Sequence, residues 1–505
     1  KVTPKEWADI FNESFRKKRP QRQQGQYVLP DNIYRVPGLI KQSAIYFTRD
    51  ALSKLANRQY ILICLLGSPF LALLLSYFTK PVSGSDYHFS DNENIPAYLF
   101  MSIITSLFLG LIISAEEIIR DRKILKRESF LNLSWFSYLN SKIMMMFIIS
   151  AIQTISFILI GNFILGIKGM TFSYWLIFFT TSCFANLMGL NISATFNSAV
   201  TIYILIPFFI IPQLLFSGVL VKFDKLHQSK FTSVEYTPVI GDLMSARWSF
   251  EALAVEQFKN NRYERNFFKS NMERSQNDWY ASFLIPALKE DLWECRNFKD
   301  SIQYRDIIDG NFYKLNSNIE KLSSLAGPGY IPGDWKRSLT AEKFNSDVSK
   351  EAENYLDGLA ARFRFLRNEY ISRLDSISNS LVSRIGKAEF IALKKNYNNR
   401  SLEDLVLGRT SMIEKTYETD KKIIQRFEPV YMKPTSKYGL AQFYAPYKQI
   451  GNITFDTYWF NIMVLWFVTL MLYITLYFNL FQKAVTLSTY IKSILIKKQK
   501  LQGPV

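Results

Sequence analysis

Thr171 to Val221 reads TFSYWLIFFTTSCFANLMGLNISATFNSAVTIYILIPFFIIPQLLFSGVLV and contains no charged residue. A bilayer-spanning helix needs roughly 20 apolar residues. This stretch therefore reads as two spans, broken near Ala194–Ser198. Other charge-free runs lie at Ile61–Thr79, Ala97–Ala115, Ile143–Ile167 and Thr457–Gln482. Together they predict six spans, at about 60–79, 97–116, 143–167, 172–194, 199–221 and 458–481. Core helices of a soluble protein are excluded because the runs recur at the length a bilayer requires. The predicted fold is an all-α membrane protein: six transmembrane helices with a large, mainly helical external domain between spans five and six.

Composition narrows the class further. Of 505 residues, 48% are hydrophobic and 21% charged, too apolar for a disordered chain. Three Cys exclude a disulfide scaffold, and two His disfavour a His-based metal site. The net charge of +18 is not a nucleic-acid footprint, because of where the basic residues sit. They crowd the segment before the first span (Arg16, Lys17, Lys18, Arg19, Arg22). They also crowd the loop at 117–142 (Arg120, Arg122, Lys123, Lys126, Arg127) and the tail (Lys483, Lys492, Lys497, Lys498, Lys500). The loops at 80–96 and 168–171 hold one Lys each. By the positive-inside rule both termini and the 117–142 loop are cytoplasmic, and 222–457 lies outside. The basic tail suits contact with anionic lipid.

The predicted domains follow. Residues 1–35 are the tail of a preceding cytoplasmic domain and a linker; Lys1 is not a start Met, so the chain reads as a piece of something longer. Residues 36–58 form an amphipathic helix, expected in the cytoplasmic interface. Residues 59–221 hold spans one to five, with a charged cytoplasmic loop at 116–142. Residues 222–457 are the external domain, 458–482 the sixth span, and 483–505 a basic tail. Within the external domain, residues 246–275 and 340–398 carry apolar residues three and four apart, such as Tyr355, Leu359, Phe363, Leu366 and Tyr370. Ser401 and Asp404 suggest a capping box for a helix over 402–425. Gly327-Pro328-Gly329 and Pro332-Gly333 mark turns.

No catalytic motif is present: no phosphate loop, no nucleophile elbow, no Cys-x-x-Cys and no His-Glu-x-x-His. His88 and His227 are lone loop residues. The spans lack acidic residues, which argues against ion-coupled transport. Their amides, Gln153, Asn162, Asn186 and Asn191, must find partners in hydrocarbon, and helix-to-helix bonding is the favoured reading over a substrate path.

The layout resembles the membrane half of a type-2 ABC exporter of the G subfamily (the white and pleiotropic-drug-resistance type). Glu117 through Arg127-Glu128, followed by Tyr138 and Lys142, is similar to that family's internal loop. Phe216-Ser217-Gly218-Val219-Leu220-Val221 resembles the end of its fifth span. Arg247-Trp248-Ser249-Phe250-Glu251-Ala252-Leu253 resembles the external helix that follows. The resemblance implies a dimer of this unit driven by an ATP-binding cassette, which holds ATP and Mg. It makes 1–18 the end of that cassette and 39–58 the connecting helix. Glu117, Arg120, Arg127 and Glu128 would couple cassette closure to the spans. Spans two and five would line the central path, with Phe108, Phe209 and Phe216, and Asn191 on the fourth span, as candidate path residues. The implied cargo is lipid-like or drug-like and leaves the cytoplasmic side by alternating access. The large insertion and its lack of paired cysteines depart from the family, and suit a bacterial inner-membrane protein that reaches a periplasmic partner. Two alternatives remain open: a mechanotransmission machine acting through the external domain, and a membrane receptor or scaffold without transport.

Overall fold

The computed structural model describes residues 2–16, 37–81, 87–131, 133–226, 235–409 and 414–487. The basic groups at 17–22 and 492–500, and His227, lie outside the described residues.

A short helix, α1 (Pro4–Phe11), is closed by a capping box in which Thr3 and Glu6 bond each other's backbone. Then come α2 (Leu39–Ala56), α3 (Arg58–Thr79), α4 (Ile95–Ala115), α5 (Glu117–Glu128), α6 (Trp135–Leu165), α7 (Thr171–Thr195) and α8 (Ala199–Leu215). Among the described residues, five helices are long and apolar enough to cross a membrane: Arg58–Thr79, Ile95–Leu131, Trp135–Leu165, Thr171–Thr195 and Thr457–Tyr477. The fifth expected span is helical only over the 17 residues of α8. At 1.5 Å per residue that is about 26 Å, short of a hydrocarbon core of ~30 Å. Phe216 ends the helix, and just beyond it Gly218 takes φ 82° with the Phe223 ring packed where a side chain would stand.

Helices α4 and α7 run parallel and nearly touch. Ser106 Oγ donates to the Phe178 carbonyl at 2.8 Å, and Gly110 and Gly189 leave room for backbone and serine on the facing helix. Small residues at four-residue spacing let membrane helices approach in this way. The amides bond between helices: Gln153 to the Cys64 carbonyl at 2.7 Å, Asn186 to Ser150 at 2.7 Å.

After α8 come α9 (Val239–Asp242) and α10 (Ser245–Lys259), and all but Trp248 of the 15 residues of α10 are buried. The helix expected over 246–275 is broken here, because the Asn261 amide oxygen accepts the Tyr263 and Glu264 N–H groups at 2.9 and 2.8 Å. Beyond the break, α11 (Phe268–Trp279), a π turn (Tyr280–Leu284) and α12 (Ile285–Phe298) run on as one rod. Next, α13 (Arg305–Ala326) folds back on α12, and α14 (Ser346–Ile385) descends antiparallel to the rod. The pairs Lys289–Asp357 (2.6 Å) and Asp278–Arg367 (2.8 Å) fix that register. With 40 residues, α14 is about 60 Å long. Its apolar stripe, Leu356, Leu359 and Phe363, closes a second core with Leu284, Leu288 and Leu315.

The lobe returns through α15 (Lys387–Tyr397) and α16 (Arg400–Val406). Here the expected capping box is corrected. Asn399 caps α16, accepting from Leu402 N at 2.8 Å, while its amide donates to the Phe89 and Asn92 carbonyls at 2.7 and 2.8 Å. Residues 416–425 are not helix but an antiparallel hairpin, β1 (Thr416–Thr419) and β2 (Lys422–Gln425). β-Branched Thr416, Thr419, Ile423 and Ile424 favour the strand. A second hairpin, β3 (Tyr447–Ile450) and β4 (Ile453–Asp456), leads into α17 (Thr457–Tyr477), whose N-terminus Asp456 caps.

Glu264 sits buried at the elbow between α10 and α11. Burial raises its carboxyl to about 7, although hydrogen bonds from Asn271 (2.9 Å) and Tyr431 (3.1 Å) oppose the rise. The folded state therefore holds this proton more tightly than the unfolded one. Its contribution to stability is full below the ordinary value of 4.5 and is lost as pH rises through about 7. Glu264→Gln is expected to flatten the pH dependence of unfolding over that window and to raise the unfolding temperature at pH 8. Thermal unfolding of the solubilised protein at several pH values checks this.

Candidate functional site

The connecting helix α2 turns its polar side inward. Gln42, Tyr46, Asp50 and Lys54, four residues apart, are buried, while Ile40, Ile45, Leu52 and Leu55 are exposed. One face of α2 is thus apolar and exposed, and the opposite face is docked on protein and not solvated. The docking partners are α6 and the α4–α5 elbow.

Five charged groups meet there. Lys54 Nζ contacts Asp50 at 2.6 Å and Glu117 at 2.7 Å. Lys142 Nζ contacts Asp50 at 2.5 Å, Asp121 at 2.8 Å and Glu117 at 3.1 Å. Two ammonium groups thus hold three carboxylates. Arg120, half-exposed, adds a third cation at 3.0 Å from Glu117, and the Tyr138 hydroxyl donates to Asp121 at 3.1 Å. Burial opposes the Asp50 charge, but Lys142 and Lys54 outweigh it and hold the carboxyl below its ordinary range. Only a fully paired cluster is stable at such burial.

The elbow is also fixed to α7. The Ile118 and Ile119 N–H groups donate to Ser193 Oγ, both at 3.1 Å, and Arg122 donates to the Ala194 carbonyl at 2.6 Å. Ser193 satisfies N–H groups that the start of α5 would leave orphaned. One rigid joint therefore gathers α2, α4, α5, α6 and α7.

Of the four residues singled out for coupling, Glu117 is central and Arg120 is attached to it. Glu128 lies outside the cluster, paired with Arg49 of α2 at 2.6 Å. Arg127 is exposed on the free face of α5 with Lys123 and Lys126. Asp50 and Lys54 escaped sequence reasoning. Their signal was their four-residue spacing opposite an apolar stripe.

The candidate path residues divide. Phe108 on α4 is exposed, and Phe209 on α8 is half-buried against Phe184 at 6.2 Å. Phe216 lies at the end of α8. Asn191 stands apart: its amide donates to the Leu472 carbonyl at 2.9 Å and accepts from Thr475 at 3.0 Å, joining α7 to α17. His88 is partly buried ahead of a short 3-10 turn. Among the described residues no group of His, Cys, Asp and Glu has the arrangement of a metal site.

The residues that build this joint fall within one family match. Residues 41–252 match the ABC-2 type transporter family. The matched stretch of ABC-2 type runs from within α2, through the charge cluster, into α10. It supports an integral, multi-pass membrane component of an ABC transporter, and with it an ATP-binding cassette as partner. No curated protein matches the chain.

Proposed function

We propose that this chain is the membrane-spanning permease of an ATP-driven exporter, moving a lipid-like or drug-like substrate outward by alternating access. The observation that carries this reading is the buried charge cluster at the junction of α2, α4–α5 and α6. A connecting helix locked by ions to the α4–α5 elbow makes a stiff input to the spans. The basic free face of α5, with Arg120, Lys123, Lys126 and Arg127, is where the cassette docks, and ATP and Mg belong to that cassette. In this reading the chain crosses the membrane six times, with α8 as the short fifth span. The termini are cytoplasmic and 222–457 is outside, at a bacterial inner membrane. A second copy faces α4 and α8, whose exposed Phe108, Tyr203 and Phe208 suit an apolar partner surface. Closure of the cassettes shifts the spans only if ATP binds the closed state more tightly.

A second reading, mechanical work on a periplasmic partner, is favoured by one feature. The rod of α11–α12 lies antiparallel to α14, itself about 60 Å long, and such a helix pair is stiff enough to carry a displacement. Replacing 260–440 by a short loop distinguishes the two, since an exporter keeps transport and a mechanical coupler loses signalling.

The test is vanadate-sensitive ATP hydrolysis by the complex purified from its native membrane. Activity supports the exporter, and an intact complex without activity overturns it in favour of a receptor or scaffold. Arg127→Glu is expected to leave thermal stability unchanged within about 0.5 kcal/mol, as for an exposed charge. It should nevertheless lower substrate transport per ATP severalfold. Unchanged transport would remove the docking role of α5.

A further inference from the structure

We propose that α10 is the joint that makes the insertion lobe follow the membrane helices, and that Glu251 is its latch, exchanging between Lys448 and Arg247. The inference rests on the ATP-driven reading above.

A helix rich in charge and yet almost wholly buried needs a partner for every polar group. One side of α10 meets the membrane helices. Phe250 packs edge-on against Phe100 of α4 at 5.6 Å. Ser249 bonds Thr181 at 2.7 Å, and Gln257 accepts from Tyr174 at 2.7 Å, both on α7. The Gln213 side chain of α8 accepts from Ser245 and from the Ala246 N–H at 3.2 and 3.0 Å.

The other side meets the segment that returns from the lobe. Glu251 Oε2 takes Lys448 of β3 at 2.6 Å and Asn461 of α17 at 2.8 Å. Asn461 also donates to the Trp248 carbonyl at 2.9 Å. Two turns further on, Lys259 pairs with Asp456, the residue that caps α17. The same helix then leads through the Asn261 turn into α11, the base of the rod. A displacement of α4 therefore reaches both the outgoing and the returning strand of the lobe through α10.

The latch has a second position. Arg247 is 1% exposed, with its planar guanidinium 4.0 Å from the Trp248 ring centre and its Nη2 donating to Thr237 at 2.9 Å. Its Nε and Nη1 make no hydrogen bond, although Nη1 lies 3.3 Å from Asp242. Glu251 Oε1 is also unbonded, and Arg247 Nη2 stands 3.6 Å from Glu251 Oε2, one helical turn away. Arg247 therefore already pairs loosely with Glu251, and each side chain keeps polar atoms without a hydrogen bond. A small shift of α10 exchanges the Lys448 partner of Glu251 for Arg247 and releases β3. Coupling between distant parts requires such an element with two discrete arrangements. The Lys448 ammonium is weakly held for a buried ion: burial lowers it to about 8, with Glu251 opposing the fall.

The test uses the full complex with its cassette. Spin labels at Glu93, on the loop before α4, and at Asp334, in the lobe, report their separation without nucleotide and with ATP and vanadate. Wild type is expected to show a nucleotide-driven shift. Glu251→Gln, which keeps the shape and removes the charge, is expected to lose the shift while ATP hydrolysis continues. Lys448→Met should do the same, and Lys448→Arg should restore it. If Lys448→Met does not fold, Glu251→Gln decides. A wild-type complex that hydrolyses ATP with no shift, or a Glu251→Gln complex that keeps it, overturns the latch. Absence of hydrolysis in wild type overturns the ATP-driven reading itself.

Discussion

Lys142→Met is expected to unfold the membrane domain or to lower its stability by about 3–5 kcal/mol, the cost of leaving buried charges uncompensated. Among the described residues Lys142 alone touches all three carboxylates of the cluster, at 2.5, 2.8 and 3.1 Å. Methionine of similar length fills the space and makes none of those contacts. Lys54 alone then faces Asp50 and shares Glu117 with Arg120, while Asp121 keeps the Tyr138 hydroxyl. Thermal unfolding and yield of monodisperse protein in detergent measure the effect. Asp50→Asn in the same chain should recover part of the loss, because it removes one of the stranded charges. Simple additivity of the two losses would mean that the residues do not act as a unit.

Gly110→Leu is expected to prevent α4 and α7 from packing. A Cβ at Gly110 already stands 2.8 Å from the Ser182 carbonyl oxygen and 2.8 Å from the Ala185 Cβ. Neither obstacle is the end of a flexible side chain, so the helices themselves must separate. Gly110→Ala should cost about 1–3 kcal/mol, in the range of overpacked cores. The leucine adds three more carbons to the same gap and should leave no folded protein in a thermal-shift or gel-filtration assay. Equal stability of the alanine variant and wild type would show that the crossing is looser than its geometry.

Much of the membrane part was legible because hydrocarbon imposes a strict rule. Charge-free runs of span length located α3, α4, α6, α7 and α17 within a few residues, except that α6 begins eight residues before its charge-free run. Its first turns carry Lys142, which is buried by ion pairing and not by apolarity. The amides were readable as helix-to-helix bonds for the same reason. The joint was half legible. Glu117 and Lys142 stood out by resemblance, but Asp50 and Lys54 looked like the solvated side of an interfacial helix. Periodicity gives two faces and does not say which of them meets water. The lobe was least legible. Turn chemistry at Asn261 and Asn399 overrode helical periodicity, and β1–β2 hid in a segment whose Ser-Leu-Glu-Asp start imitates a cap. Nothing in the pattern of α10 announced that a charged helix would be enclosed on every side.

The inverted face of α2 sets the order of assembly. Asp50 and Lys54 leave the ribosome before Glu117 and Asp121, and Lys142 comes last. Until α6 has been made, Asp50 and Lys54 have each other and Glu117, but the ammonium that spans all three carboxylates is missing. Arrival of Lys142 closes the ring of charges and pulls α2, the α4–α5 elbow and α6 into one piece. A chain that ends before residue 142 therefore leaves the charge cluster, and with it the seating of α2, incomplete.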